Sequence, residues 1–522
     1  MMLRLLIYIS ALSILCGSIL FSTEKSAPDP VLFTIHTDEI RQTIHNFGAS
    51  DAWSVQFVGK YWPLDKREQI ADLLFSMELD SLGHPQGIGL SLWRFNIGAG
   101  SARQGDESGI ATEWRRAESF LTTDSTYNWN NQEGQQWFMK AAQERGVRQF
   151  TGFVNSPPVL LTKNGKAHGD GSGNANISQE NYEHFADYLA RIASYFRDEG
   201  SPLTYLSPVN EPQWNWASSN GQEGSPYRNS EIDGVVKALD QKITEYGLDT
   251  KIEIPETAQI DFLISRDNDG RGNQTEYFFG SESAVRELPT LARKIAAHSY
   301  FTTYPVEEMI EQRRKVWESI RKTDPSLEYW MSEFCVLGNI DGVLRGNGRD
   351  LGIDPALYVT RVMHYDLTIA NASSWQWWLG VSPYDYKDGL VYIDNDFYDG
   401  EVYESKILWG MGNYSRFIRP GAVRVEVSRS DNLSPLEAAE DILVSAYLHP
   451  EDRRVTLVAI NYSHKDREIT IDTTGKSAGA VSEWSRYITS SKYNLEKKPS
   501  SLPDELIMIP SRSVVTIISP AL

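Results

Sequence analysis

Two glutamates stand where an ionised side chain is expensive. Glu211 lies in the run Pro208-Val209-Asn210-Glu211-Pro212-Gln213-Trp214, and Glu333 in Tyr329-Trp330-Met331-Ser332-Glu333-Phe334. A charge among apolar and aromatic neighbours needs either a partner or a task. For one such residue a buried ion pair is an adequate reading. For two, each closing an apolar run and one of them beside Asn210, paired-carboxylate chemistry is the stronger reading. Glycoside hydrolysis demands that pairing: one carboxyl kept protonated near neutral pH to donate to the leaving oxygen, and one ionised to meet the positive charge at the anomeric carbon. At a separation of about 5–5.5 Å the ionised group attacks directly and the anomeric configuration is retained. Arg94 closes the run Leu90-Ser91-Leu92-Trp93-Arg94-Phe95-Asn96, and His298 and Tyr300 close another. Arg94 would favour the ionised form of a nearby glutamate, whereas a glutamate walled by Trp214 or Trp377 would stay protonated. A structural salt bridge is the other reading of Arg94.

These residues must be positioned by their elements. After residue 40, short apolar runs alternate with segments of helical period, which is the pattern of parallel strands joined by crossover helices. Eight strands are predicted, at 44–50, 90–96, 149–155, 203–209, 252–256, 295–300, 328–334 and 373–378. Between them, Asp65 and Glu68 resemble a capping box ahead of Ile70, Leu73, Leu74 and Met77. A helix from Tyr182 to Phe196 is stopped by Gly200, and one from Ile232 to Ile243 by Gly247. Eight such units in series predict an α/β fold, a (β/α)8 TIM barrel over 41–417, with Glu211 after strand four and Glu333 on strand seven. An open doubly wound sheet is the alternative, but no Gly-rich phosphate turn follows the first strand. The insertions 103–130 and 213–230 are long enough to shape a cleft. Beyond 418 the rhythm changes to alternating strands without helices, at 422–427, 442–448, 454–461, 468–472, 480–488 and 505–519. That predicts a side β-sandwich over 418–522, joined by a strand from the segment 23–40.

The chain has 522 residues and a net charge of −20, with 15 Trp, 25 Tyr and 19 Phe. An excess of acid argues against nucleic acid or an anionic membrane as the ligand and favours a neutral one. Arg4 followed by the apolar stretch 5–21 and the small residues Gly17, Ser18 and Ser22 reads as an export signal over 1–22. The protein is therefore expected to be exported, to the periplasm, cell surface or medium. An uncleaved membrane anchor is the alternative, and a lipid anchor on Cys16 a further one, although Leu15 before it is a poor match to the small residue such sites favour. No later stretch is apolar enough to span a bilayer. Cys335, the second of two cysteines, is then unpaired and reads as core packing. The nine histidines show no His-x-His or His-Glu-x-x-His spacing, so no metal site is expected. Asp267-Asn268-Asp269-Gly270 begins like a calcium loop, but Arg271 and Phe278 stand where ligands belong, and the segment reads as a solvated loop. No Gly-x-Ser-x-Gly elbow is present.

The chain resembles glycoside hydrolase family 30, within the clan of retaining (β/α)8 glycosidases. The resemblance is carried by residues 46–53 (Asn-Phe-Gly-Ala-Ser-Asp-Ala-Trp), Arg94-Phe95-Asn96-Ile97-Gly98, Asn155-Ser156-Pro157-Pro158 with Asn164-Gly165, Asn210-Glu211-Pro212, Glu333, Trp375-Gln376-Trp377-Trp378 and Pro510-Ser511-Arg512-Ser513. It implies Glu211 as acid/base and Glu333 as nucleophile. It further implies Asn210 as donor to the sugar 2-hydroxyl, Arg94 and Tyr300 as orienters of Glu333, and Trp377 as a stacking floor. Asp51, Trp53, Asn155 and His298 would line the pocket, with Trp214 and Trp375 in substrate contact. Many members, the glucosylceramidase-like branch among them, carry Trp where this chain has Asn155. The combination here is similar to the endo-β-1,6-galactanase-like branch; β-1,6-glucanase and xylanase are its neighbours in the family. A monomer acting on an oligo- or polysaccharide without a cofactor is implied. A glycan-binding protein that keeps the fold without catalysis is the rival from another class, and the presence of both glutamates favours the enzyme.

Overall fold

The computed structural model describes residues 29–265, 269–340, 344–475 and 481–521. The expected export signal with Cys16, Asp267 and Asn268 of the calcium-like segment, and Ala480 lie outside the described residues. No described helix is long and apolar enough to cross a membrane.

The predicted fold class is found. Parallel strands at Asn46–Ser50, Leu92–Asn96, Gln149–Phe153 and Tyr205–Ser207 pair in chain order. Strands at Lys294–His298, Glu328–Phe334 and Ala372–Ser382 continue the sheet, and the last pairs with the first. The fifth strand closes the circle in two pieces: Lys251–Ile252 pairs with the fourth strand and Pro255–Thr257 with the sixth. Pro255 has no N–H to give to a ladder, which fits the interruption. The strands are buried on both faces, as parallel strands under a helical layer must be.

The crossover helices Tyr182–Asp198 and Asn229–Glu245 lie where the apolar period places them, and left-handed Gly200 and Gly247 follow their ends. The expected capping box is not formed. The helix starts at Leu64 behind Pro63, without a side-chain cap, and stops at Phe75, leaving Met77 exposed.

The C-terminal part forms a nine-stranded sheet in which Val31–Thr43 lies between Val423–Arg429, antiparallel, and Arg467–Thr474, parallel. The stretch 505–519, read as one strand, is two: Ile507–Ile509 and Ser513–Ile518, broken where Arg512 turns left-handed. Glu496–Ser501 is an edge strand that the sequence pattern did not signal. Residues from both ends of the sheet, Trp484 and Ile488 with Ile507 and Ile509, share one core with Phe33 and Val425. The sheet therefore folds over on itself as a sandwich.

Candidate active site

Both glutamates reach the catalytic face through local departures from regular backbone. Glu211 follows strand four with φ 46°, a left-handed conformation that costs a non-glycine residue about 1–3 kcal/mol. Two hydrogen bonds hold it: its N–H donates to the Glu256 carbonyl at 2.9 Å, and its own carbonyl accepts from the Trp216 indole at 3.0 Å. Gly224 packs against the face of that indole so closely that a Cβ would fall 2.3 Å from the ring. On strand seven, Met331 and Phe334 pair with Trp375 and Trp377 of strand eight, so three steps face two. This bulge turns both Ser332 and Glu333 into the barrel.

Inside, the charges form one network. Arg94 Nη1 donates to Glu333 Oε2 at 2.8 Å, and the Tyr300 hydroxyl donates to Glu333 Oε1 at 2.9 Å. His298 Nδ1 lies 3.1 Å from Glu211 Oε1 and 3.6 Å from Glu333 Oε1. Its Nε2 lies 2.9 Å from Glu256 Oε2, which also accepts from Ser332 Oγ at 2.6 Å and faces Arg94 Nη2 at 3.5 Å. One oxygen each of Glu211 and Glu333 and a ring nitrogen of His298 all lie within 4.8 Å of one another. That is nearer the separation at which a carboxylate attacks directly than the roughly 6.5–9.5 Å that leaves room for a water.

Burial alone would depress the His298 imidazolium, but Glu333, Glu211 and Glu256 outweigh it and hold the group up to about 10. A protonated His298 donates from both nitrogens and has no lone pair to offer a metal. Burial pushes Glu211 up, opposed by the hydrogen bond and charge of His298, while the charge of Glu333 pushes it further up. For Glu256, burial is outweighed by Arg94 and His298, which hold it far below the usual carboxylate range. Beneath it, buried Lys294 pairs with Glu253 and lies over the rings of Tyr205 and Trp330 at 3.3 and 2.9 Å.

Asn210, Asn155 and Asn96 form a chain, Asn210 Nδ2 donating to Asn155 Oδ1 at 3.1 Å and Asn155 Nδ2 to Asn96 Oδ1 at 3.0 Å. Asp51 Oδ1 accepts the Asn96 N–H at 2.7 Å, and burial pushes the Asp51 carboxyl up to about 7. Asp51 Oδ2, Trp53 Nε1, Asn96 Nδ2 and Asn210 Oδ1 are buried without a partner among the described residues. A cavity of about 410 Å³ opens over the pair, lined among others by Glu211, Glu333, Trp214, Trp216, Trp378 and Arg115.

Trp377 as the stacking floor and Trp375 as a substrate contact require correction. Both are fully buried and point away from the barrel interior: the Trp375 indole donates to Asp366 of the helix Ile353–Thr368, and Trp377 to the Asp388 carbonyl. Ser374 and Gln376 meet Asn46 inside the barrel, and Trp378, on their side of the strand, faces the cavity. Cys335 also lines the cavity, and burial holds its thiol well above the ordinary value, so it is no thiolate. Arg271 is likewise not solvated: it is buried and donates to the Gln213 carbonyl at 3.0 Å.

Sequence reasoning missed Glu256, Asn96, Trp378, Arg115 and Asp388. Glu256 carried the same mark as the other two glutamates, an acid closing an apolar strand. The mark was obscured by Pro255 beside it.

Residues 30–392 match the family model for O-glycosyl hydrolase family 30, and residues 421–517 match that for the glycosyl hydrolase family 30 beta sandwich domain. The chain is 23% identical over 367 residues to an endo-beta-1,6-galactanase of Hypocrea rufa, covering 67% of this chain and 68% of that one. It is 23% identical over 363 residues to a glucuronoxylanase of Bacillus subtilis, covering 68% and 69%. A solved structure of a conserved exported protein from Bacteroides fragilis superimposes with a TM-score of 0.88 at 34% identity, covering 93% of this chain and all of that one. The chain belongs to O-glycosyl hydrolase family 30 and is a retaining O-glycosyl hydrolase.

Proposed function

We propose that the protein is an exported endo-β-1,6-galactanase in which Glu333 is the nucleophile and Glu211 the acid/base. A Glu333 oxygen attacks the anomeric carbon while Glu211 passes its proton to the departing glycosidic oxygen, giving a glycosyl ester and a free sugar hydroxyl. Glu211 then takes a proton from water, whose oxygen displaces Glu333 from the anomeric carbon. The observation that carries this reading is the pair of carboxylates joined through His298 at hydrogen-bond distance from Glu211 and ion-pair distance from Glu333. His298 occupies Glu211 Oε1, so Oε2 is left to carry the transferable proton. The negative charge of Glu333 helps keep that proton in place. Once Glu333 is esterified the charge is gone, the affinity of Glu211 for its proton falls, and the acid becomes the base of the second step.

The substrate assignment is supported by the relationship to the Hypocrea rufa enzyme and by Asn155, which sits in the polar chain beside Asn210. A galactan is neutral and suits a protein of net charge −20. The match to an exported protein supports the cellular placement. The test is product length from β-1,6-galactan, β-1,6-glucan and glucuronoxylan. Oligosaccharides of mixed length from the galactan are expected. Release of single residues only would overturn the endo reading, and turnover confined to one of the other two glycans would overturn the galactan.

A further inference from the structure

The cavity holds two charged side chains that the mechanism above does not use. Asp388 lines it yet is only 4% exposed. Its Oδ1 accepts from Ser382 Oγ at 2.7 Å, and its carbonyl is fixed by the Trp377 indole at 2.7 Å. Among the described residues no hydrogen bond reaches Oδ2 and no cation lies within ion-pair distance. With one oxygen left without a protein partner in the lining of the cavity, the carboxylate can accept a hydrogen bond from a ligand there. Arg115, from the insertion 103–130, lines the same cavity. Its guanidinium lies over the rings of Tyr384 and Trp53 at 5.1 and 5.8 Å, and its Nε is buried without a hydrogen-bond partner. Burial pushes the Asp388 carboxyl up to about 6, and the Ser382 hydrogen bond and the charge of Arg115, near but not in contact, act the other way, so Asp388 is charged at neutral pH without being neutralised by Arg115.

The chemistry of this pair selects its ligand. A carboxylate accepts only, and a guanidinium donates only. A sugar hydroxyl can donate to the first while its neighbour accepts from the second. A substrate carboxylate would gain from Arg115 but would meet the like charges of Asp388 and Glu333 in the same cavity. We infer that Asp388 and Arg115 form a two-point clamp on hydroxyls of a neutral glycosyl unit, Asp388 accepting from one hydroxyl and Arg115 donating to a nearby oxygen, and that the clamp selects neutral sugars over uronates. This rests on the glycosidase assignment but not on the identity of the sugar.

The experiment uses the full chain and whichever neutral aryl β-glycoside it hydrolyses, together with the monodeoxy analogues of that glycoside and the matching aryl uronide. kcat/KM is measured for the parent, Asp388→Ala, Asp388→Asn and Arg115→Lys, with unfolding midpoints recorded for each. Asp388→Ala is expected to lower kcat/KM roughly 10- to 100-fold on the full glycoside, the range for a hydrogen bond to a charged group. The same variant should lose almost nothing on the one analogue that lacks the accepted hydroxyl, and Asp388→Asn should recover part of the loss. Arg115→Lys should show the same selectivity for a different or adjacent position. Equal losses on every analogue would overturn the clamp, because an altered fold or altered charge at Glu333 would act on all of them alike. So would Arg115→Lys impairing only the uronide. Should the parent enzyme reject galactosides yet hydrolyse another neutral glycoside, the galactan assignment fails while the clamp is still tested on that substrate.

Discussion

His298 donates to Glu211 from one nitrogen and to Glu256 from the other, so its charge is shared between the proposed acid/base and the carboxylate that also faces Arg94. The cation lowers the proton affinity of Glu211 against a burial effect that raises it. Replacing it in His298→Asn leaves burial less opposed, so the alkaline limb of kcat/KM should move to higher pH while kcat falls. A limb that stays in place or moves to lower pH would refute this coupling. Linkage adds a second reading. The folded protein binds the His298 proton more tightly than the ordinary value of 6.5, up to about 10. The stabilisation is therefore full below about pH 6.5 and is lost as pH rises toward 10. Urea midpoints of the parent should fall across that window more steeply than those of His298→Asn. For the glutamates themselves, Glu333→Gln should remove turnover by about 10⁴-fold or more with sugar binding intact by calorimetry. Glu211→Ala should lose roughly 10²- to 10⁴-fold on a poor leaving group and little on an activated aryl glycoside. Equal losses on both would count against the acid role.

Strand eight decides which tryptophan can meet a sugar. Successive side chains alternate across a strand, so Ser374, Gln376 and Trp378 share one side and Trp375 and Trp377 the other. The Trp-Gln-Trp-Trp motif was legible as a strand end, but its facing was not, since either set of tryptophans could have been turned inward. Glu211 and Glu333 were legible for the opposite reason: an acid in an apolar run is conspicuous whichever way it points. The bulge at Ser332 and the left-handed turn at Glu211, which aim them, left no mark in the pattern. Arg115 closes a three-residue 3-10 turn, Glu113–Arg115, and Asp388 lies in a turn, and neither is long enough for a periodicity to single out a residue. The parity argument yields a paired prediction. Trp378→Ala should raise KM for the polysaccharide severalfold with little change in the unfolding midpoint. Trp377→Ala should instead destabilise by about 3–5 kcal/mol, the usual cost of emptying a buried tryptophan site. Chemical denaturation and steady-state kinetics on the two variants separate the outcomes, and a reversed pattern would restore Trp377 as the platform.

At the scale of the molecule, barrel and sandwich divide the faces of the same strands. In Ile442–Leu448, Leu443 and Tyr447 belong to the core that contains the barrel, while Ile442, Ala446 and Leu448 belong to the core of the sandwich. Val455–Asn461 does the same with Val458 and Ile460 against Leu457 and Ala459, and Ser513–Ile518 with Val514 against Val515 and Ile517. Burial on both faces explains why these strands read as continuous apolar runs. Polar ties cross the same boundary: Asn413 of the helix Lys406–Ser415 donates to Thr516 Oγ1 at 2.9 Å, and Thr516 donates back to the Asn413 carbonyl at 2.7 Å. The N-terminal strand completes the sandwich from the far end of the chain by pairing on both its edges. A barrel deprived of the sandwich would uncover the side of that helix that packs on Trp484–Ser490 and Ser513–Ile518, and a sandwich alone would expose Tyr447 and Ile460. The two parts should therefore unfold as one unit. Scanning calorimetry of residues 29–522 is expected to give a single transition with a calorimetric to van't Hoff enthalpy ratio near one. A chain starting at residue 44, which lacks the strand between Val423–Arg429 and Arg467–Thr474, should lose glycosidase activity and thermal cooperativity together, although no catalytic residue is removed. Two resolved transitions in the parent, or full activity in the shortened chain, would mean that the shared core does not couple the two parts.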